Sequence, residues 1–192
     1  MIAIIKYNAG NIKSVQNALN RLGYKSIITD DSRDLISADK VIFPGVGEAG
    51  SAMQYLVERG LDKILISLKQ PVLGICLGLQ LMCRHSEEAD TKCLGIFDTD
   101  VKLFPPADKI PHMGWNNFLT VNGALFKGIS LSDDVYYVHS YYAKLSSFTS
   151  ATCDYILPFS AALQKDNFFA TQFHPEKSAI MGEKILQNFL EL

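Results

Sequence analysis

Apolar residues in the first half of the chain fall into short runs separated by stretches of helical spacing. Ile2 to Tyr7 (IAIIKY) is an apolar run that ends at the loop Asn8-Ala9-Gly10-Asn11. Ile12, Val15, Ala18, Leu19 and Leu22 follow at the spacing of one helix face, with Gly23 as a stop. KSIIT (Lys25 to Thr29) and KVIFP (Lys40 to Pro44) predict a second and a third strand. Pro44-Gly45-Val46-Gly47 comes next, then a helical pattern from Ser51 to Lys69 broken near Gly60. PVLGI (Pro71 to Ile75) predicts a fourth, buried strand with a helix starting directly after it. Strands alternating with helices imply βαβ units and an open, mainly parallel sheet covered by helices on both faces.

The second half reads differently. Between Gly95 and Phe173 lie several strand-like runs: IFDTDVKLF, NNFLTV, DVYYVHSYYAKL, TSATCDY, FSAALQK and NFFATQF. Turns between them are marked by Pro105-Pro106, Asn122-Gly123, Ser132-Asp133-Asp134 and Asp166-Asn167. Additional antiparallel strands are therefore expected beside the α/β core. A last helix is predicted from Ser178 to Leu190, and the polar stretch Arg84 to Cys93 (RHSEEADTKC) reads as a mobile loop. No internal repeat or linker interrupts the pattern, so residues 1–192 are expected to form one domain.

Composition narrows the functional classes. Of 192 residues 48% are apolar, and 18 Lys+Arg against 20 Asp+Glu give a formal charge of −2. There is no basic stripe of the kind that tracks nucleic-acid phosphates. No apolar run approaches the roughly 18–20 residues of a membrane span, and MIAIIKYNAGN reads as a strand rather than a signal peptide. Cys76, Cys83, Cys93 and Cys153 show neither CxxC nor zinc-ligand spacing, so reduced thiols in the cytoplasm are expected. No metal or organic cofactor is implied, because neither G-x-G-x-x-G nor a P-loop string occurs.

Gly74-Ile75-Cys76-Leu77-Gly78 follows the fourth strand and precedes a helix. G-x-nucleophile-x-G in that setting is the nucleophile elbow, a tight turn that lifts one side chain above a sheet. A glycine-flanked buried cysteine at a strand end would give the same pentapeptide. A nucleophilic cysteine needs a base, and the base an orienting partner. His85 lies in the polar stretch and reads as solvated, whereas His112 and His139 read as hydrogen-bonded structural histidines. His174 differs: it ends an apolar strand and is followed at once by Pro175 and Glu176, so an imidazole and a carboxylate meet at one sheet edge.

Together, GICLGLQ (Gly74 to Gln80), ATQFHPEKS (Ala170 to Ser178) and PGVG (Pro44 to Gly47) resemble class I (triad-type) glutamine amidotransferases, which have a flavodoxin-like fold. A narrower resemblance, to the glutaminase subunits of imidazole glycerol phosphate synthases, rests on AGNIKSV (Ala9 to Val15), PGVG, IPHMGWN (Ile110 to Asn116), YYVHSYY (Tyr136 to Tyr142) and HPEKS. The resemblance implies a catalytic triad of Cys76, His174 and Glu176 acting on the side-chain amide of glutamine. It implies oxyanion donors at Leu77 and at Val46 or Gly47. It implies substrate contacts at Gln80, at Glu88 (or Glu87) for the ammonium group, and at the backbone of Ser140 and Tyr141. It also implies a heterodimer partner, a (β/α)8-barrel cyclase, which receives ammonia through a channel for histidine biosynthesis. Asn11, Trp115, Tyr136 and Lys177 occupy the positions facing that partner. Trp115 reads equally as core.

Departures from the pattern lie outside the triad. Lys6, Tyr7, Asn8 and Ala9 stand where many members of the family carry an acidic residue and a glycine, and Glu87-Glu88-Ala89-Asp90 lacks the glycine often seen after the acidic pair. A paralogous amidotransferase feeding surface-sugar biosynthesis would keep the same motifs. A cysteine peptidase on the same sheet would need neither Gln80 nor PGVG.

Overall fold

A computed structural model of the chain describes residues 1–8 and 10–192. Ala9, in the loop expected after the first strand, lies outside the described residues. The chain runs β1 (Ile2–Ile5), α1 (Ile12–Arg21), β2 (Ser26–Thr29), α2 (Ser32–Ser37), β3 (Lys40–Gly45), α3 (Ala49–Glu58), α4 (Leu61–Ser67), β4 (Val72–Cys76) and α5 (Leu77–Met82). It continues through β5 (His85–Ser86), β6 (Thr91–Lys92), β7 (Asp100–Leu103), β8 (His112–Asn116), β9 (Thr120–Val121), β10 (Val135–His139) and β11 (Tyr141–Ala143). It ends with β12 (Thr149–Tyr155), β13 (Leu157–Lys165), β14 (Phe168–Thr171) and α6 (Ala179–Leu190).

One large sheet has the order β2-β1-β3-β4-β14-β13-β12-β9. Its first five strands are parallel and its last three antiparallel. Every residue of β1, β4 and β14 is buried, as expected of strands covered on both faces. Alternate residues serve opposite cores. Ala3 and Ile5 pack with the buried sides of α2 to α5, whereas Ile2 and Ile4 pack with Val15 and Leu19 of α1 and Ile185 and Phe189 of α6.

Local chemistry sets the helix ends. The Asp31 side chain accepts from Arg33 N–H at the start of α2, and Glu48 accepts from the N–H groups of Gly50 and Ser51 at the start of α3. Gly60, at φ +66°, divides α3 from α4 where the break was expected. No described helix is long and apolar enough to cross a membrane.

Two expectations need correction. Arg84 to Cys93 is not a loose loop. β5 pairs with β6 and β7, Ser86 and Thr91 are buried, and one 3-10 turn spans Glu88–Asp90. The stretch is polar because its charges are used: Arg84 pairs with Asp98 and Asp100, and Lys102 with Glu87. His85 remains partly exposed, as expected, with its Nε2 2.9 Å from the exposed Asp90 Oδ1. NNFLTV contributes only the two residues of β9, while β8 forms from the preceding His112–Asn116 and pairs with β10. Short α2 was not anticipated, six residues being too few to show a period.

The parallel pairing of β14 with β4 positions the site. Phe168 to Thr171 lie beside Val72 to Ile75 in one-to-one register, so Cys76 and His174 leave the same edge of the sheet. Asn167 sets that register: its Nδ2 donates to the carbonyls of Leu68 (3.0 Å) and Gln70 (2.8 Å), and its own carbonyl accepts from Val72 N–H. Asn167→Ala strips both carbonyls of their partner. It is expected to cost about 1–3 kcal/mol in urea unfolding, and an unchanged midpoint would show that the register does not depend on Asn167.

Candidate active site

Cys76 ends β4 with φ 54° and ψ −106°, a conformation that non-glycine residues rarely adopt. Such strain persists only where the surroundings over-determine it, and it clusters at active sites. The flanking glycines show how it is enforced. A Cβ on Gly78 would collide with the Phe43 carbonyl of β3, and one on Gly74 would be driven against the Gly78 backbone at 3.0 Å. The elbow is thus wedged between strand and helix, and the sulfur opens on a cavity of about 300 Å³.

His174 follows β14 and is only 1% exposed. Its Nδ1 is 2.8 Å from Glu176 Oε1, which fixes Nδ1 as the protonated nitrogen. Asn11 Nδ2 donates to the same carboxylate oxygen, so this residue, expected on a partner face, has its amide engaged inside the site. Nε2 is buried with no hydrogen-bond partner among the described residues. It is the nitrogen left for the sulfur. Burial alone would lower the His174 pKa. The negative charge of Cys76, followed by the Glu176 carboxylate, overrides this and pushes it up to about 10. His174 is therefore an imidazolium next to the Cys76 sulfur. Catalytic hydrogen bonds of this kind commonly close fully only around substrate.

The cavity wall collects most of the expected residues. Val46, Gly47 and Leu77 line it beside Cys76. Gly47 has φ +134°, open to glycine alone without strain, and the Val46 carbonyl accepts from Gly10 N–H at 3.3 Å. Tyr7, buried beneath this strand, donates its hydroxyl to the Pro44 carbonyl at 2.6 Å. Burial, and then the charge on Cys76, hold that phenol far above its usual pKa, so it stays a neutral donor.

Gln80, Glu88, Ser140 and Tyr141 line the same cavity. The two glutamates differ in what they touch. Glu87 is spent on Lys102 and on Leu103 N–H, whereas Glu88 faces the cavity and accepts from Ala49 N–H at 2.8 Å. Burial raises the Glu88 pKa, more than the Ala49 bond lowers it. The carbonyls of Ser140 and Tyr141 are already engaged, by Phe104 N–H and by Gln80 and His139. Any backbone contact to a substrate carboxylate at these residues is left to their N–H groups.

Neither His112 nor His139 is free to serve as base. His112 Nδ1 lies 3.0 Å from His139 Nε2, and His139 Nδ1 is 2.8 Å from the Tyr141 carbonyl. Burial lowers the pKa of His112 to about 4 and that of His139 to about 3, so both rings are neutral. The single tryptophan is not core: Trp115 is 54% exposed. It meets Tyr136 edge-on with centroids 5.9 Å apart, and Lys177 Nζ lies 5.9 Å from the centre of the Tyr136 ring.

Three contacts escaped the sequence reading: Tyr7 on the PGVG strand, Asn11 on Glu176, and Gln172 beside the sulfur. Only Gln172 left a signal, since residues 172 and 174 share a face of an extended segment.

A cysteine on a strained elbow, with a nearby imidazole hydrogen-bonded to a carboxylate two residues further on, fits a triad-type amidotransferase, and the chain belongs to the glutamine amidotransferase class-I family, whose model matches residues 3–192. It is 61% identical over 194 residues to imidazole glycerol phosphate synthase subunit HisH of Bacteroides fragilis (strain YCH46), covering 100% of this chain and 99% of that one. The HisH subunit of Colwellia psychrerythraea is 45% identical, covering 98% of this chain and 92% of its own. Among solved structures, a putative GMP synthase subunit from Thermoplasma acidophilum superposes with a TM-score of 0.77 at 21% identity, over 100% of this chain and 92% of that one. A structure described as a glutamine amidotransferase gives 0.76 at 16% identity, over 100% and 98%. These last two show the fold alone.

The buried imidazoles predict an acid sensitivity. A histidine held below its unfolded pKa of about 6.5 contributes stability above that pH and loses it as pH falls towards the folded value. For His112 the window runs from about 6.5 down to about 4. His112→Asn keeps a donor towards His139 and should flatten the pH dependence of urea unfolding across this window. Equal slopes in both proteins would contradict a neutral, buried His112.

Proposed function

We infer that this chain is the glutaminase subunit of an imidazole glycerol phosphate synthase. The full-length identity of 61% to a HisH subunit carries this reading, and the triad geometry supports it. Glutamine enters the cavity with its side-chain amide over the sulfur and its ammonium group towards Glu88. The Cys76 thiolate attacks the amide carbon. A C–S bond forms, and the carbonyl electron pair moves to oxygen. The N–H groups of Leu77 and of Val46 or Gly47 receive that oxyanion.

The intermediate collapses by breaking the C–N bond. His174 gives its Nε2 proton to the leaving nitrogen, which departs as ammonia and leaves a glutamyl thioester. Water then attacks the thioester while His174 takes a proton from it. The C–S bond breaks with its electron pair returning to sulfur, and glutamate leaves. Glu176, itself held by Asn11, keeps the imidazole in the productive tautomer throughout.

Ammonia released into water at neutral pH is protonated and lost as a nucleophile, so the product needs a sheltered route. In this reading the partner is a (β/α)8-barrel cyclase that takes the ammonia into imidazole glycerol phosphate and an aminoimidazole carboxamide ribotide. Met113 and Trp115, both more than half exposed, form with Tyr136 and Lys177 the surface on which that cyclase docks. Lys177 is suited to an ion pair across the interface.

Three measurements test this. Cys76→Ala should lower glutamate release by on the order of a thousand-fold or more, and a glutamine-mimicking electrophile should label Cys76 in a manner that glutamine prevents. Adding the cyclase with its nucleotide ligand should raise glutaminase turnover many-fold. Normal glutamate release by the alanine variant, or no response to the cyclase, would overturn the assignment.

A further inference from the structure

Gln172 has no part in the scheme above, yet it touches the reacting sulfur. It is fully buried, and its Nε2 lies 3.7 Å from Cys76 Sγ. Its Oε1 accepts from Gln80 Nε2 at 3.1 Å. The second N–H of Gln80 donates to the Tyr141 carbonyl at 2.9 Å.

The direction of this chain is determined by its far end. A carbonyl only accepts, so both Gln80 Nε2 and His139 Nδ1 must donate to Tyr141. Gln80 therefore presents its amino group to Gln172, and Gln172 must present its oxygen to Gln80. The Gln172 amino group is then forced towards the sulfur. A flipped Gln172 would set two amino groups against each other and a carbonyl oxygen against the thiolate. His139 is held in turn by His112, whose Nε2 is 3.4 Å from Asn116 Nδ2. The relay thus runs from β8 to the nucleophile without a gap.

We propose that Gln172 is a further catalytic residue of the glutaminase reaction, with Gln80 as the positioning residue that aims it. Its N–H group steadies negative charge on Cys76 Sγ before attack. It does so again when the thioester C–S bond breaks and the electron pair returns to sulfur. No proton moves from the amide at either step, because His174 carries out the proton transfers. A hydrogen bond to a charged acceptor is worth more than a neutral one, and burial magnifies it. The proposal rests on the glutaminase reading for its reaction, but the contact itself is a property of the sulfur.

The test reads the sulfur directly. The titratable groups around it are His174 and Glu176 after β14, Tyr7 after β1, Glu88 in the turn after β5, and His139 on β10. The alkylation rate of Cys76 by iodoacetamide is followed across pH by mass spectrometry of its peptide, in the full chain. Gln172→Leu removes the donor at similar volume, and Gln172→Asn keeps an amide one carbon too short to reach. Both should slow alkylation at pH 7 by roughly ten-fold or more and shift its profile to higher pH. With the cyclase present, kcat for glutamine should fall while KM changes little.

Wild-type rates and profiles in either folded variant, or a loss confined to KM, would overturn the proposal. Failure of both variants to fold would also count against it, as it would make Gln172 a packing residue. If glutamine fails to protect wild-type Cys76 from a glutamine-mimicking electrophile while the Gln172 effects persist, the glutaminase reading falls and the sulfur contact stands.

Discussion

The parallel pairing of β14 with β4 is the constraint on which the site depends. These strands are far apart in the chain, and they meet in a register that a one-residue slip would destroy, because every side chain would turn to the opposite face. With Thr171 opposite Ile75, the chain leaves both strands at one edge. Cys76 turns up into the elbow, and Gln172 and His174 follow on the neighbouring strand end. Asn167 anchors the lower end of the ladder, and the close fit of Gly74 to Gly78 and of Gly78 to β3 holds the upper end.

That geometry places an imidazole and a sulfur together in a poorly hydrated setting. Burial favours a neutral His174, and only the charges of Cys76 and Glu176 reverse this. His112 and His139 supply an internal contrast. They are likewise buried but have no anion beside them among the described residues, and burial keeps both neutral. The difference between one protonated ring and two neutral ones thus comes from which groups surround each ring, not from burial.

Much of the first half was legible because apolar runs and helical spacing are local signals. Strands β1, β3 and β4 and the break at Gly60 lie where the pattern placed them. The elbow was legible for the same reason, its glycines sitting beside the cysteine in the chain. The partnership of β4 with β14 was not, since nothing local in NFFATQF says which strand it joins or in which direction. Motif resemblance supplied that link between Cys76 and His174. Charge misled at Arg84 to Cys93, where paired ions looked like a solvated loop. Trp115 carried two opposite readings, and only its place on an exposed face of β8 separated them. Gln172 lies within ATQFHPEKS, but its contact is with a sulfur almost a hundred positions away, which no local pattern reveals.

His174 is a buried cation whose pKa is raised by its neighbours Cys76 and Glu176. Nuclear magnetic resonance of 13C-labelled histidine rings across pH reports this directly. His174 should remain protonated through neutral pH and titrate near 10, and in Cys76→Ala its pKa should fall sharply as burial regains control. A His174 resonance that titrates near the ordinary value of about 6.5, with or without the sulfur, would contradict the account.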